Sequence, residues 1–321
     1  MKTTVTSLAV VLILAVSAIL SVTGAPTEQI PSELRLDVAD RNPWTHLELN
    51  NSRNSFQFAI VTDRTGGRRP GVFTRAVEKI NLLQPEFVVS VGDLIEGYTE
   101  DPGQWALEWA EFEGKLDALQ MPFFFCAGNH DYSNLPMSRD WQRKFGRSYY
   151  DFKYRDVLFL VLNTEEKPVP DKRPYHISRE QQQWAADVLA LNTDVRWTFV
   201  LLHKPTWTYP EADHVKFGWA SIEAALGNRP YTVFAGHKHQ YARYIRHGRE
   251  YYMLASTGGV SKISGIPRRT FRTTLAGLGQ GRFDHFVWIT MKEDGPVIAN
   301  LLLDGVESKN IRTLPDPSAG K

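Results

Sequence analysis

At 321 residues, with 42% hydrophobic and 23% charged residues, the chain can fill one large domain or two small ones, and it is neither disordered nor collagenous. The formal net charge of +1 includes Lys2, which lies in a segment expected to be removed, so the balance of the rest is about zero and no specific nucleic-acid binding is expected. A single cysteine, Cys126, excludes an internal disulfide; it falls in the apolar run 122–127 and reads as a buried strand residue rather than a catalytic thiol.

The N-terminus has the layout of a secretory signal: Lys2, an apolar run over residues 8–20, then small residues at 21–25. Cleavage is expected after Gly24 or Ala25, with Pro26 disfavouring the second. The competing reading is an uncleaved anchor, but the run falls short of the roughly 20 apolar residues a spanning helix needs. Export to a periplasmic or extracellular location follows, with no stable membrane insertion after signal removal. Residues 25–54, polar and dotted with prolines, read as a lead-in, residues 55–310 as one domain, and residues 311–321 as a tail.

From Ser55 onward, short apolar runs alternate with helical patterns, which is an α/β arrangement. Residues 56–62 read as a strand ending at Asp63, residues 72–83 as a helix, and residues 87–91 as a strand ending at Gly92-Asp93. A helix is expected over residues 108–119 and a strand over residues 122–127, which ends at Gly128-Asn129-His130-Asp131. Residues 149–154 and 157–163 form a strand pair. Residues 179–191 have helical spacing and a capping box from Ser178 with Gln181. Residues 197–202 lead to His203, and residues 231–235 lead to Gly236-His237-Lys238-His239. Residues 251–256, 283–291 and 297–303 read as closing strands. Residues 258–281, glycine-rich and basic, read as a long functional loop.

The polar motifs recur at the C-terminal ends of apolar strands, where ligands bind in open α/β sheets. Each is ambiguous alone. Asp63 or Asp93 can be a turn residue, Asn129-His130-Asp131 a hydrogen-bonded turn, and His203 structural. Together they place oxygen and imidazole donors without thiolate on one rim, a set suited to manganese, iron, cobalt, nickel or zinc.

In this order the motifs resemble the calcineurin-like metallophosphoesterase superfamily, whose pattern is Asp-x-His, Gly-Asp, Gly-Asn-His-Asp/Glu, a lone His, and Gly-His-x-His. The resemblance implies a four-layer α/β/β/α sandwich with two mixed β-sheets and a site for one or two divalent ions at the strand C-terminal edges. It implies that Asp93 bridges the ions, that Asn129, His203 and His237 complete one shell, and that Asp63 and His239 hold the other ion. The implied activity is hydrolysis of phosphate mono- or diesters of a small phosphorylated substrate by a metal-bound hydroxide. His130 would act as proton donor to the leaving group, with Asp131 fixing its tautomer.

One position departs from that pattern, because Thr65 stands where Asp-x-His has histidine. The related purple acid phosphatases carry a tyrosine ligand three residues after the bridging aspartate. Glu96 occupies that position here and reads either as the substitute ligand or as a capping residue. Arg64, in a turn with Arg68 and Arg69, is the best candidate for a substrate-phosphate contact. Arg268, Arg269 and Arg272 could approach from the later loop, or be a basic surface. Trp207, Tyr209 and His214 follow His203 and could rim the cleft, though core packing is the stronger reading. His46, His176, His247 and His285 read as structural or surface residues. The rival readings are a metal- or phosphate-binding protein of the same fold that has lost turnover, and a single-metal hydrolase.

Overall fold

The computed structural model describes residues 45, 50, 54–166, 177–260, 280, 281 and 283–305, and all of its helices and strands lie in the compact unit Ser52–Lys321. The first strand, β1 (Phe56–Val61), shows why the apolar runs are continuous rather than alternating. Phe56, Phe58 and Ile60 enter one core while Ala59 and Val61 enter another, so both faces are covered.

Helix α1 (Val72–Leu83) buries Val72, Phe73, Ala76, Val77 and Ile80 on one face, the spacing of an amphipathic helix. After β2 (Phe87–Ser90), helix α2 (Pro102–Leu116) begins at Pro102 rather than at residue 108. The Asp101 side chain accepts from the Gly103 N–H and Pro102 occupies the first turn, a start signal that precedes the apolar face. Strand β3 is reduced to Phe123–Phe124. Helix α3 (Leu135–Phe145), which was not expected, is capped by Asn134, whose side chain accepts from the Met137 N–H at 2.9 Å. Met137, Ser138 and Trp141 are buried on one face of a mostly polar segment, which lacks the apolar content that marks the other helices.

The second half contains β4 (Tyr150–Tyr154), β5 (Val157–Val161), α4 (Arg179–Leu191) and β6 (Trp197–Leu201). Short helices α5 (Glu211–Lys216) and α6 (Trp219–Leu226) lead to β7 (Tyr231–Ala235). The hairpin β8 (Tyr241–Arg246) and β9 (Arg249–Met253) follows, then β10 (Gln280–Gly281) and the hairpin β11 (His285–Lys292) and β12 (Gly295–Leu302). One sheet has the order β12-β11-β1-β2-β3 and the other β10-β8-β9-β7-β6-β5-β4. Both are mixed: β1, β2 and β3 are parallel with β11 antiparallel to β1, and β5, β6, β7 and β9 are parallel with antiparallel edges.

Three apolar clusters set the layers. One packs α1, α2 and α3 on the five-stranded sheet; a second, rich in phenylalanine, lies between the sheets; the third packs α4 and α6 on the seven-stranded sheet. Phe58 sits in the middle layer with ring centroids 5.3, 5.1 and 5.1 Å from Phe87, Phe159 and Phe199. The architecture is therefore the expected α/β/β/α sandwich. Cys126 is buried in the middle layer. No helix of the described residues is long and apolar enough to cross a membrane.

Candidate metal centre

Because β1 to β3 are parallel, and β6 is parallel to β7, each group of ligand-bearing ends meets one rim. Backbone bonds hold each rim: within the first sheet the Asp63 N–H donates to the Gly92 carbonyl at 3.1 Å, and within the second the Gly236 N–H donates to the His203 carbonyl at 2.9 Å. The His237 N–H donates to the Asp63 carboxylate at 2.8 Å, joining the two sheets. Asp63, Asp93, His237 and His239 all have left-handed backbone, with φ of 39, 60, 74 and 50°. Non-glycine residues hold such angles only where the surroundings over-determine them, and they cluster at functional sites. Close approach explains two of the glycines: a Cβ at Gly128 would overlap Asp93, and one at Gly236 would overlap the Asp63 carboxylate.

The donors converge in two groups, Asp93 with His203 and His237, and Asp63 with Asp93 and His239, the ligand atoms of each lying within 4.8 Å of one another. Asp93 belongs to both. His203 Nε2 lies 3.3 Å from the Asp93 carboxylate and 2.9 Å from Asn129 Oδ1, and His239 Nε2 lies 3.2 Å from Asp63. Neighbouring donors on one ion, each at roughly 2.1 Å, are about 3 Å apart, so the donor set fits divalent ions. The ring tautomers agree. His203 Nδ1 faces the Val91 carbonyl and His239 Nδ1 the Val260 carbonyl, both at 2.9 Å. A carbonyl can only accept, so Nδ1 carries a proton in either charge state of the ring, and Nε2 is the nitrogen that faces the site.

The electrostatics favour a cation at this point. Burial disfavours a charged His203 ring, yet Asp93, Asp63 and Glu165 outweigh it and raise its pKa to about 9. The same opposition, burial against Asp63, leaves His239 raised. Burial also opposes ionisation of Asp93, but His203 and His130 hold its carboxyl well below the usual carboxylate range. His237 is lowered by burial and by His203 and Lys204, so it stays neutral and able to ligate.

Four side chains next to the donors are committed elsewhere. Glu96 is in neither donor group; its carboxylate accepts from the backbone N–H of Arg68 at 2.7 Å and of Gly67 at 3.3 Å, bracing the turn after Asp63. Thr65 is buried and its hydroxyl donates to the Ile95 carbonyl at 2.8 Å. Asp131 does not hold His130: its two oxygens accept from the N–H groups of Asp93, Leu94, Ile95 and Gly128 at 2.7–3.0 Å. Burial and the Asp93 charge push its carboxyl up to about 7, against those bonds. His130 is held instead through Nδ1, 2.6 Å from the Glu96 carbonyl, which leaves Nε2 4.0 Å from the Asp93 carboxylate.

Arg64 is the fourth. It is buried, donates to the Leu94 carbonyl at 2.6 Å, pairs with Glu111, and lies 5.3 Å from the Phe112 ring. It fastens the site loop to α2 and does not reach for substrate. Arg64→Ala should therefore cost about 2–3 kcal/mol of stability in a denaturant titration, through a lost charge-assisted bond and lost packing, with KM unchanged within about twofold. A tenfold rise in KM at unchanged stability would restore the phosphate-contact reading.

Arg68 also pairs with Glu111, and Arg69 with Asp284 and the Gly259 carbonyl. Trp207 packs with Trp219 and Tyr251, and His214 Nε2 donates to the Tyr209 carbonyl at 2.9 Å. His285 is buried and His247 lies near Glu223. Arg268, Arg269, Arg272, His46 and His176 lie outside the described residues. Two features near the rim had no signal in the sequence. One is the buried pair of Lys204 and Glu165, at 2.6 Å directly after His203; the other is Tyr98, whose hydroxyl meets Asn129.

A family model described as calcineurin-like phosphoesterase matches residues 56–241. Human serine/threonine-protein phosphatase CPPED1 is 31% identical over 186 residues, covering 52% of this chain and 58% of the relative, and the Bos taurus protein is 28% identical over 185 residues. The chain thus spans little more than half the length of the curated relatives it matches. Among solved structures, a purple acid phosphatase from yellow lupin (Lupinus luteus) seeds has TM-score 0.57 at 13% identity, covering 79% of this chain and 52% of that one. A dimetal phosphatase from Danio rerio has TM-score 0.56 at 16% identity, covering 77% and 96%. At such identities the likeness is one of fold.

Proposed function

The chain belongs to the calcineurin-like phosphoesterase family, and from that membership we propose that it is a metal-dependent phosphoric ester hydrolase acting on phosphomonoesters. The observation that carries this reading is Asp93, one carboxylate common to two donor groups. Asp93, Asn129, His203 and His237 would hold one divalent ion, and Asp63, Asp93 and His239 a second. Manganese, iron, cobalt, nickel and zinc all suit this mixture of oxygen and imidazole. Such ions, when bound, acidify water and neutralise the phosphoryl oxygens. The preference for monoesters is supported by the serine/threonine phosphatase relatives.

His130 supplies the proton. Its Nδ1–H is fixed on the Glu96 carbonyl, so a second proton can sit only on Nε2, beside Asp93. From there it passes to the departing alcohol oxygen. His130→Ala should slow cleavage of alkyl phosphates by about two to four decades and of aryl phosphates with acidic phenols much less. Equal losses on both classes would remove His130 from the proton step.

The test of the whole reading is turnover of an aryl phosphate monoester and diester by manganese-loaded protein, with a chelated control. Faster monoester cleavage that the chelator abolishes is the expected result. Folded, metal-containing protein without turnover would point to a binding protein of the same fold. Export is a separate proposal, supported by the sequence of residues 1–24. Mature protein recovered outside the cytoplasm should begin at residue 25 or 26; a retained Met1 would contradict it.

A further inference from the structure

The loop after β2 is pinned one residue at a time. Beyond the backbone held by Asp131, the Gly97 N–H donates to Glu108 at 2.8 Å and the Tyr98 N–H to the Ser133 hydroxyl at 3.1 Å. Asn134 Nδ2 then donates to the Thr99 carbonyl at 2.8 Å. A Cβ at Gly97 would overlap the His130 carbonyl, so only glycine lets the loop lie this close to the Asn129-His130 turn. The result is an aromatic residue, Tyr98, with a left-handed backbone (φ 52°) and 62% of its surface exposed. Packing does not account for a strained conformation in an exposed side chain, whereas a site role does.

Two contacts define that role. The Tyr98 hydroxyl oxygen accepts from Asn129 Nδ2 at 3.0 Å, and the Tyr98 ring stands edge-on to the His130 ring, centroids 4.8 Å apart at 88°. An asparagine amide can present either its oxygen or its NH2 to a given neighbour, and only the oxygen has a lone pair for a metal. With Nδ2 engaged by Tyr98, Asn129 Oδ1 is left facing His203 Nε2 at 2.9 Å, in the donor group that contains Asp93.

Resting on the metal-centre reading above, we propose that Tyr98 is a positioning residue: its hydroxyl oxygen, accepting from Nδ2, anchors the Asn129 amide with Oδ1 turned toward the ion, and its ring limits the swing of His130. The Tyr98 backbone strain is the cost of that placement, held by Gly97, Ser133 and Glu108.

The test reads metal binding rather than turnover, so it separates this inference from the hydrolase reading. Cobalt(II) affinity is measured by competition with a chromophoric chelator, together with the visible spectrum of the bound ion, for wild type, Tyr98→Phe, Asn129→Ala and the double variant. Tyr98→Phe, which keeps the ring, should weaken one cobalt site by about 10- to 100-fold, the usual scale for a residue that orients a ligand, and should alter the cobalt absorption. On the Asn129→Ala background the same substitution should have no further effect, because its only route to the ion is gone. Tyr98→Gly, which removes both contacts and relieves the left-handed strain, should lose the same affinity without lowering the Tm of the metal-free protein. Unchanged cobalt affinity and spectrum in Tyr98→Phe would overturn the inference, and so would an equal loss on the Asn129→Ala background.

Discussion

Asp93→Asn is expected to lower kcat/KM on an aryl phosphate by about three orders of magnitude or more, and to empty at least one metal site. The carboxylate belongs to both donor groups, so its loss acts on both ions. Ions that clamp a phosphoryl group take several kcal/mol off the barrier, and each 1.4 kcal/mol is about tenfold in rate. Asparagine is the informative replacement because its oxygen can still accept from the His130 N–H, as Asp93 does at 2.9 Å, so the loop should persist. Stability should fall as well. Without metal, the buried Asp93 carboxylate pairs with His203, 3.3 Å away, which holds it well below the usual carboxylate range, and a neutral amide gives up that pairing. The variant should therefore melt below chelated wild type and further below metal-loaded wild type, since an ion stabilises only the state that binds it. Metal analysis by mass spectrometry and two melting curves check this. Full metal content with activity within tenfold of wild type would remove Asp93 from the centre.

The convergence of these donor side chains was legible in the sequence because of where apolar runs stop. Asp63, Asp93, Asn129, His203 and His237 each follow a short continuous apolar run, and parallel strands bring such ends to one edge. What each loop side chain grips was not legible. Arg64, Thr65 and Asp131 sit one or two residues from ligands, yet left-handed backbone at Asp63 and Asp93 helps set the loop directions. Nothing in a residue's identity announces that turn, since neither position is glycine. Asp131 beside His130 suggested a hydrogen-bonded neighbour in sequence, whereas the carboxylate meets backbone 36 to 38 residues earlier. Tyr98 was missed for the same reason: it lies five residues beyond Asp93, and its contacts arise only once Gly97 closes on His130. Helix α3 was hidden by its composition, because a mostly polar segment between loops does not stand out even though its few buried residues share one face.

Asp131→Asn separates two roles for one residue. If Asp131 served His130, the substitution would slow alkyl phosphates selectively and leave the melting temperature in place. The geometry predicts the opposite. One carboxylate oxygen holds the Leu94 and Ile95 N–H groups at 2.7 and 3.0 Å, and the other holds Asp93 and Gly128 at 2.8 and 2.9 Å. An amide can keep only one of these pairs; its NH2 faces the other pair donor to donor. Two buried N–H groups without an acceptor cost roughly 1–3 kcal/mol each. At about 2–4 °C per kcal/mol for a domain of this class, Tm should fall on the order of 10 °C. The Asp93 backbone is among the groups released, so cobalt affinity should weaken and aryl and alkyl phosphates should lose rate in the same proportion. The His130 ring should be unmoved, because its Nδ1–H is held by the Glu96 carbonyl and not by Asp131. A variant that melts with wild type but fails on alkyl esters alone would return Asp131 to the side of His130.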